Sequence, residues 1–372
     1  MTVERETAGF ALPFAAGAAS AIYAGTYCGD LIICIAILCL ALPFITIMSP
    51  ARRSMSPTFL WTLIGLAATG TGCLCGIFAY ETAVSDIEGC GLAALAAEAG
   101  EAMEKAADGI RFKDIRTNAF IKAVLTGEKA GMPAEVTDAF RESGASHILA
   151  LSGLHMGVIY MMLNRILSAA GFSPAAVRFK SILTILICGA YTMATGAGPS
   201  IVRAFLFIIL NETARLTGRY RSTGQTLLTA LVIHLCLSPE DIRSVGFQLS
   251  YAAMAGIAFI FPFLKNLWPD DTSDRIPARI ITVPTRWIWN SAAMSIACQM
   301  TTGPIAYLYF GTFPMHFLLT NLLALPLTGV IIPLGAMTLV LHEAGICPDL
   351  LIRLTEWLTG LLIRALEIIA EM

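Results

Sequence analysis

Windows of about 20 predominantly apolar residues recur along most of this chain, each long enough to cross a hydrocarbon core of roughly 30 Å. Nothing constrains the fold more, because a segment in lipid must pair its own backbone N–H and C=O groups, and a helix does so within one segment. Composition agrees: of 372 residues, 56% are hydrophobic and 13% charged, where soluble domains carry about 25% charged residues. The sequence predicts an all-α, polytopic helical membrane protein.

Hydropathy read together with helix breakers predicts about eleven transmembrane spans. The first two, near 10–27 and 31–48, are split by Cys28-Gly29-Asp30, and a third lies near 58–80. A long polar stretch, 81–143, follows. Further spans fall near 146–168, 179–197, 200–216, 224–237, 245–264, 288–309, 316–341 and 350–370. The 224–237 segment is short for a full crossing and suits a tilted, broken or re-entrant path.

With a cytoplasmic N-terminus, the inside loops hold Arg52 and Arg53; Arg165, Arg178 and Lys180; Arg215, Arg219 and Arg221; and Lys265, Arg275, Arg279 and Arg286. The short outside loops hold almost nothing basic except Arg243. This positive-inside pattern puts 81–143 and the C-terminal end outside. Trp268, Trp287 and Trp289 bracket one inside loop, at the depth where indoles favour the interface.

The formal charge of −2 supplies no basic field, which excludes a soluble nucleic-acid binder of the usual kind. Any contact with DNA has to come from locally placed arginines. The ten cysteines include no C-x-x-C pair. Cys34, Cys39, Cys73, Cys75, Cys188, Cys236 and Cys298 sit in apolar runs and read as small hydrophobes between helices. Cys28, Cys90 and Cys347 remain as disulfide candidates. Met1 to Gly9 lacks a basic n-region and a cleavage site, so it reads as the lead-in to a retained span.

The polar stretch is helical in flavour. Leu92, Leu95, Ala99 and Met103 form an apolar stripe with Glu98, Glu101, Glu104 and Lys105 on other faces, which suits a small extracytoplasmic segment on the membrane surface or capping the bundle. Pro133 fits the first turn of a helix through Glu135, Val136 and Phe140. Ser173-Pro174 and Ser238-Pro239-Glu240-Asp241 read as an N-cap followed by proline and, in the second, first-turn acids.

The most informative string is Ser146-His147-Ile148-Leu149-Ala150-Leu151-Ser152-Gly153-Leu154-His155-Met156-Gly157. Each polar side chain left unpaired in hydrocarbon costs free energy, so this face turns to protein or water. Three further blocks follow in order: Gly198-Pro199-Ser200-Ile201-Val202-Arg203-Ala204; Ser238-Pro239-Glu240-Asp241 with Ser244-Val245-Gly246-Phe247-Gln248-Leu249-Ser250-Tyr251; and Gln299 to Pro304 with Asn321-Leu322-Leu323-Ala324-Leu325-Pro326-Leu327. Upstream, Leu125-Thr126-Gly127-Glu128 belongs with the first block. From about Asn118 to Leu327 the chain resembles the competence domain of the ComEC-type family, inner-membrane channels for DNA uptake in natural transformation.

Family members usually carry an outside OB-like domain, for which Glu81 to Thr117 is too short, and a terminal metallo-β-lactamase-like domain. No H-x-H-x-D-H occurs among His147, His155, His234, His316 and His342, so no metal site of that kind is expected. The resemblance implies a short form, a channel module without its own nuclease. The expected division is 1–80 for N-terminal transmembrane helices, 81–117 for the extracytoplasmic helical segment, 118–345 for the competence domain and 346–372 for a C-terminal helix.

Candidate pathway residues follow from polarity inside apolar runs. His147 and His155 stand eight residues apart, roughly 80° around a helix, with Ser152 one turn from His155. They line a pore, serve as interhelical hydrogen-bonding groups, or form a nucleophile and base for an intramembrane hydrolase, although no acid stands nearby to orient the imidazole. Gly153 and Gly157 give small-x-x-x-small spacing for close helix packing. Arg203 cannot lose its charge, so at its depth it pairs, snorkels or faces water; for a polyanion it is the natural phosphate contact. Gln248, with Ser244 and Tyr251 nearby, and Gln299 with Thr302 extend a polar seam. Asn321 heads a segment expected to be broken by Pro326 and Pro333, whose freed carbonyls line a cavity. Arg353, Glu356, Gly360, Arg364, Glu367 and Glu371 share one face of the last helix, which suits an interfacial helix or a tilted span with its ion pairs turned inward.

The leading expectation is a passive conduit carrying single-stranded DNA across the bacterial inner membrane to the cytoplasm. There is no G-x-x-x-x-G-K-[ST], so no cofactor is expected and energy comes from elsewhere. The resemblance implies an extracytoplasmic DNA receptor and a cytoplasmic helicase-like ATPase as partners, with membrane lipids around the bundle; whether a separate nuclease completes the system is left open by the sequence. The alternatives are the Ser152/His155 hydrolase and a small-solute or lipid transporter, though no convincing internal repeat is visible.

Overall fold

The computed structural model describes residues 2–48, 56–82, 91–110, 112–168, 171, 173–219, 221–268, 276–311, 313 and 315–372. Among them the regular structure is helical, with no strand. The helices are α1 (Thr2–Met48), α2 (Pro57–Thr82), α3 (Gly91–Gly109), α4 (Ile115–Thr126) and α5 (Ala134–Glu142). Then come α6 (Ser146–Leu149), α7 (Gly153–Leu167), α8 (Pro174–Ala194), α9 (Pro199–Thr217) and α10 (Thr223–Leu237). A 3-10 turn, Pro239–Arg243, leads to α11 (Val245–Ala255), a π turn (Gly256–Ile260) and α12 (Phe261–Lys265). Last are α13 (Ile276–Phe310), α14 (Phe317–Glu343) and α15 (Asp349–Ala370).

Five helices among the described residues are long and apolar enough to cross a membrane: Glu4–Ala24, Pro57–Ala79, Pro174–Ala194, Val245–Lys265 and Phe317–Glu343. Leu31–Phe44 and Thr223–Leu237 are apolar but shorter. The other predicted spans are helices whose apolar character is diluted. α9 carries Arg203, Glu212 and Arg215, α13 carries Asn290 and Gln299, and α15 carries Asp349, Arg353, Glu356, Arg364 and Glu367. α7 has only 15 residues. This is an all-α membrane protein in which part of the helical chain is built for the bundle interior.

The chain divides into two compact units, and the first is Met1–Gly89 with Ile209–Tyr251. Straight, the 47 residues of α1 would run about 70 Å. Instead, Gly17 backs onto the Thr69 carbonyl, while a Cβ on the adjacent Gly70 would lie 2.9 Å from the Ala36 carbonyl oxygen. A straight helix would hold residues 17 and 36 about 28 Å apart, so α1 doubles back. Ala21, Ile32, Ala36 and Cys73 share one buried cluster, which puts the reversal between 21 and 32. The predicted hairpin is present, but the backbone stays helical through Cys28-Gly29-Asp30. Gly72 meets the Phe14 carbonyl and Gly76 packs on Ala18 and Ala21, so small residues at a four-residue interval let the first arm and α2 touch backbone to backbone.

The second unit is Cys90–Ile208 with Ala252–Met372. Its core joins Phe120, Ile121 and Val124 of α4, Phe140 of α5, Ile148 of α6, Val158 of α7, Ile331 of α14 and Leu362 of α15. From Ile115 the chain belongs to the core, because Phe120, Ile121, Val124 and Leu125 all face inward while Arg116 and Lys122 take the polar side with Asp114, Glu367 and Asp108. Thr320 donates to the Ser143 carbonyl at 2.7 Å, and a Cβ on Gly335 would lie 3.2 Å from Ile121, so this segment follows α14.

One part of the predicted alternation is corrected by α3. A Cβ on Gly100 would lie 2.7 Å from the Ala194 carbonyl oxygen, and one on Gly109 would lie 3.4 Å from the His342 ring. About 14 Å of helix separates the two contacts, too little to bridge a roughly 30 Å core. The C-terminal ends of α8 and α14 thus lie on one side, where the charge pattern had them opposed. An odd number of the five stretches predicted between them therefore does not complete a crossing, and α10, with 15 residues, is the shortest.

Proline has local effects rather than breaking helices. Pro262 lacks an N–H and crowds the preceding turn, and the chain widens to a π turn over Gly256–Ile260 just before it. α14 runs unbroken through Pro326 and Pro333, contrary to the predicted break. The charged face of α15 is divided: half-buried Glu356 accepts from the Asp114 N–H at 2.7 Å and half-buried Glu367 pairs with Arg116 at 3.3 Å, while Arg353, Arg364 and Glu371 are exposed.

Candidate functional site

Ser152 ends the extended link after α6 and caps α7. Its φ and ψ of −130° and 171° aim the side chain back at the helix, where its Oγ accepts from the Leu154 N–H at 3.3 Å. Three residues on, the His155 Nδ1 accepts from the Ser152 N–H at 3.1 Å and lies 3.0 Å from its Oγ. The pair is a capping box with histidine in the place usually held by Glu or Gln. An Nδ1 that accepts a backbone N–H carries no proton itself, so in the neutral ring the proton sits on Nε2. His155 is 0% exposed, and its Nε2 has no hydrogen-bond partner.

Arg203 closes on this turn from α9. It is 6% exposed, and its Nη2 lies 2.6 Å from where a Cβ on Gly153 would be, with the Ala204 methyl 3.6 Å away. Pro199 opens α9, supplying a preset φ where the missing N–H costs nothing, and this sets Arg203 within the first turns. Below it, Met156, Cys188, Ile201 and Ile208 form a dry cluster with Tyr191 and Phe205 packed against it. Two of the sequence blocks thus meet at one point: Ser152-Gly153-Leu154-His155 and the arginine of Gly198 to Ala204. The Leu125-Thr126-Gly127-Glu128 block supports them. Gly127 ends α4 with φ +88°, a conformation open to glycine. A Cβ there would lie 3.0 Å from Leu151, and Tyr191 donates its hydroxyl to the Leu125 carbonyl at 2.9 Å.

The other predicted pathway residues are more dispersed. His147 is exposed on α6, with Nδ1 3.2 Å from the Gly144 carbonyl. Asn321 lies near the start of α14, and its Oδ1 and the Thr328 Oγ1, two turns on, are buried without partners. Gln299 of α13 stands against Gly303 on its own helix. Gln248 belongs to the first unit, where its amide donates to the Ile242 carbonyl at 2.9 Å and to the Tyr23 hydroxyl at 3.3 Å.

Reading by hydropathy passed over a buried network in the first unit. His234 is 0% exposed, with Nε2 3.0 Å from an Asp241 oxygen and Nδ1 3.2 Å from the Tyr251 hydroxyl. Phe247 meets the imidazole edge to face at 5.0 Å. Of the acids in Ser238 to Asp241, predicted as ordinary first-turn residues, Asp241 thus reaches back to the preceding helix while Glu240 is exposed. Arg243 donates to the Ile22 carbonyl and lies 5.5 Å above the Tyr23 ring. Glu212 is also buried, at 1% exposed, in α9; Asn211-Glu212-Thr213 within an apolar run was the signal available for it.

A model of the family described as "Competence protein" matches residues 124–372, which include α6, α7, α9 and the His234 network. Recombination protein 2 of Haemophilus influenzae is 22% identical over 297 residues, 77% of this chain and 36% of that protein. ComE operon protein 3 of Bacillus subtilis is 34% identical over 133 residues, 36% of this chain and 17% of that protein. An uncharacterized protein of Escherichia coli, YcaI, is 25% identical over 233 residues, 61% of this chain and 30% of that protein. The chain spans well under half the length of these relatives. No solved structure matches it. With two thirds of its length under the family model, including the turn where Arg203 meets Gly153, the chain belongs to the competence protein family.

Proposed function

We propose that this chain forms the inner-membrane path by which single-stranded DNA enters the cytoplasm in natural transformation. The observation that carries the reading is Arg203, a permanent positive charge buried against Gly153 of the Ser152 to His155 turn. A guanidinium inside a membrane bundle is expensive and is retained for a task, and a planar fork suits phosphate oxygens without reading bases. Family membership supports the same reading. On it, an extracytoplasmic receptor delivers DNA, a separate nuclease leaves one strand, and a cytoplasmic helicase-like ATPase supplies the work.

The Ser152–His155 contact of 3.0 Å favours a second reading, an intramembrane hydrolase. Against it, Nδ1 already takes the Ser152 N–H, and the hydroxyl is engaged with Leu154. We propose no hydrolytic role. The test is transformation at matched membrane levels. Arg203→Gln should abolish or strongly reduce uptake, and Arg203→Lys should keep part of it, since charge survives but the fork does not. Normal uptake by Arg203→Gln removes Arg203 from the path.

A further inference from the structure

We propose that Cys75 of α2 and Cys236 of α10 form a reversible disulfide that ties the two helices together at the extracytoplasmic end of the first unit. The pairing is independent of the DNA path. The two thiols already lie within hydrogen-bonding contact. Both line one apolar cavity of about 380 Å³, with Thr71 one turn before Cys75 and Val232 one turn before Cys236. Each cysteine therefore sits on the face of its helix turned to the other, and the cavity leaves two small side chains free to turn together. A separate contact fixes the level. Gly76, next to Cys75, packs on Ala21 and Ile22, and Arg243, just past the end of α10, donates to the Ile22 carbonyl. The end of α10 is thus anchored beside Cys75 before any bond forms. Neither residue is among Cys28, Cys90 and Cys347, the candidates that the sequence suggested.

Arg52 and Arg53 follow the second arm of α1, so its reversal, with Cys75 near it, lies on the extracytoplasmic side, where thiols meet an oxidising environment. The oxidant is a protein disulfide of the dithiol-exchange class, and the step runs by thiol–disulfide exchange. The exposed Cys236 attacks as thiolate and forms a mixed disulfide, releasing one sulfur of the oxidant as thiolate. The half-buried Cys75 then attacks the Cys236 sulfur, and the second sulfur of the oxidant leaves. Two thiols are oxidised, one disulfide is reduced to a dithiol, and the two protons pass to the released thiolates. Cys73, two residues back, is buried, with its Sγ 3.7 Å from the Ser20 Oγ. The bond joins segments about 160 residues apart in sequence, and cross-links that close long loops restrict the unfolded chain most.

The test uses the full chain in nanodiscs of phosphatidylcholine and phosphatidylglycerol, with glutathione disulfide as the oxidant. Samples are quenched with N-ethylmaleimide and digested for mass spectrometry, with fragment spectra that separate Cys73 from Cys75. Wild type should yield the Cys75 peptide linked to the Cys236 peptide, with no maleimide on either residue. Its unfolding temperature should rise by roughly 5 °C or more on oxidation, and tris(2-carboxyethyl)phosphine should reverse the rise. Cys75→Ala and Cys236→Ala should each abolish the link and the rise, whereas Cys73→Ala should keep both. Maleimide on both residues in oxidised wild type overturns the proposal. So does a glutathione adduct that persists on Cys236, since it shows Cys75 to be out of reach, and so does a link from Cys236 to any other cysteine. The wild-type peptides decide the pairing even where a variant accumulates poorly.

Discussion

Arg203 occupies the space that a side chain at Gly153 would fill: its Nη2 is 2.6 Å from the position of a Cβ there. The glycine is therefore a seat for a charge that comes from another helix, fifty residues on. Gly153→Ala should displace the guanidinium while slightly favouring α7, since alanine is the better helix residue by about 0.5–1 kcal/mol. Expected is a protein that accumulates and unfolds like wild type, or slightly later, yet takes up DNA poorly. Unimpaired uptake would show that the guanidinium tolerates displacement.

Ser152→Ala should cost about 1 kcal/mol through loss of the N-cap, read as a modest fall in thermal unfolding temperature. Since the proposed role of the hydroxyl is the cap, a serine-directed fluorophosphonate should leave Ser152 unlabelled. Labelling that disappears in His155→Ala would contradict that role.

In the first unit, His234→Ala removes a fully buried imidazole and leaves Asp241 and the Tyr251 hydroxyl without that contact. The expected destabilisation is about 2–4 kcal/mol, seen as loss of protein from the membrane. Asp241→Asn, which keeps an acceptor at the same place, should be milder. Equal accumulation of His234→Ala and wild type would mean that the network carries no structural weight.

The Gly109–His342 contact makes a prediction about sidedness. In a background without other cysteines, Lys113→Cys and Ile346→Cys should react with a membrane-impermeant maleimide from the same side. Labelling of only one of them from outside intact cells would restore the alternation that the loop charges suggest.

Much of this was legible in the sequence, within limits set by physics. Apolar windows mark helices well because lipid enforces them, and the reversal in α1 followed from Cys28-Gly29-Asp30. Pro326 and Pro333 misled, because in a bundle the neighbouring helices hold an α-helix together through proline. The segment after Ile115 misled for the opposite reason. Arg116, Lys122 and Arg141 make it look solvated, while Phe120, Val124 and Phe140 bury the other face. Ser152 and His155 were legible as a pair because they are one turn apart. The seating of Arg203 on Gly153 and the reach of Asp241 to His234 were not, since neither leaves a periodic trace.

The backbone contact of Gly17 and Gly72 with the Thr69 and Phe14 carbonyls has a mechanical meaning. Sliding α2 by a single residue along the first arm of α1 would drive the side chain of Thr71 or Cys73 into a carbonyl that only glycine can face. Neither a ratchet nor an unscrewing motion is open to this pair. On the proposed reading as a DNA path, any opening that admits a polymer is made by other helices, because this pair has no second register to move into.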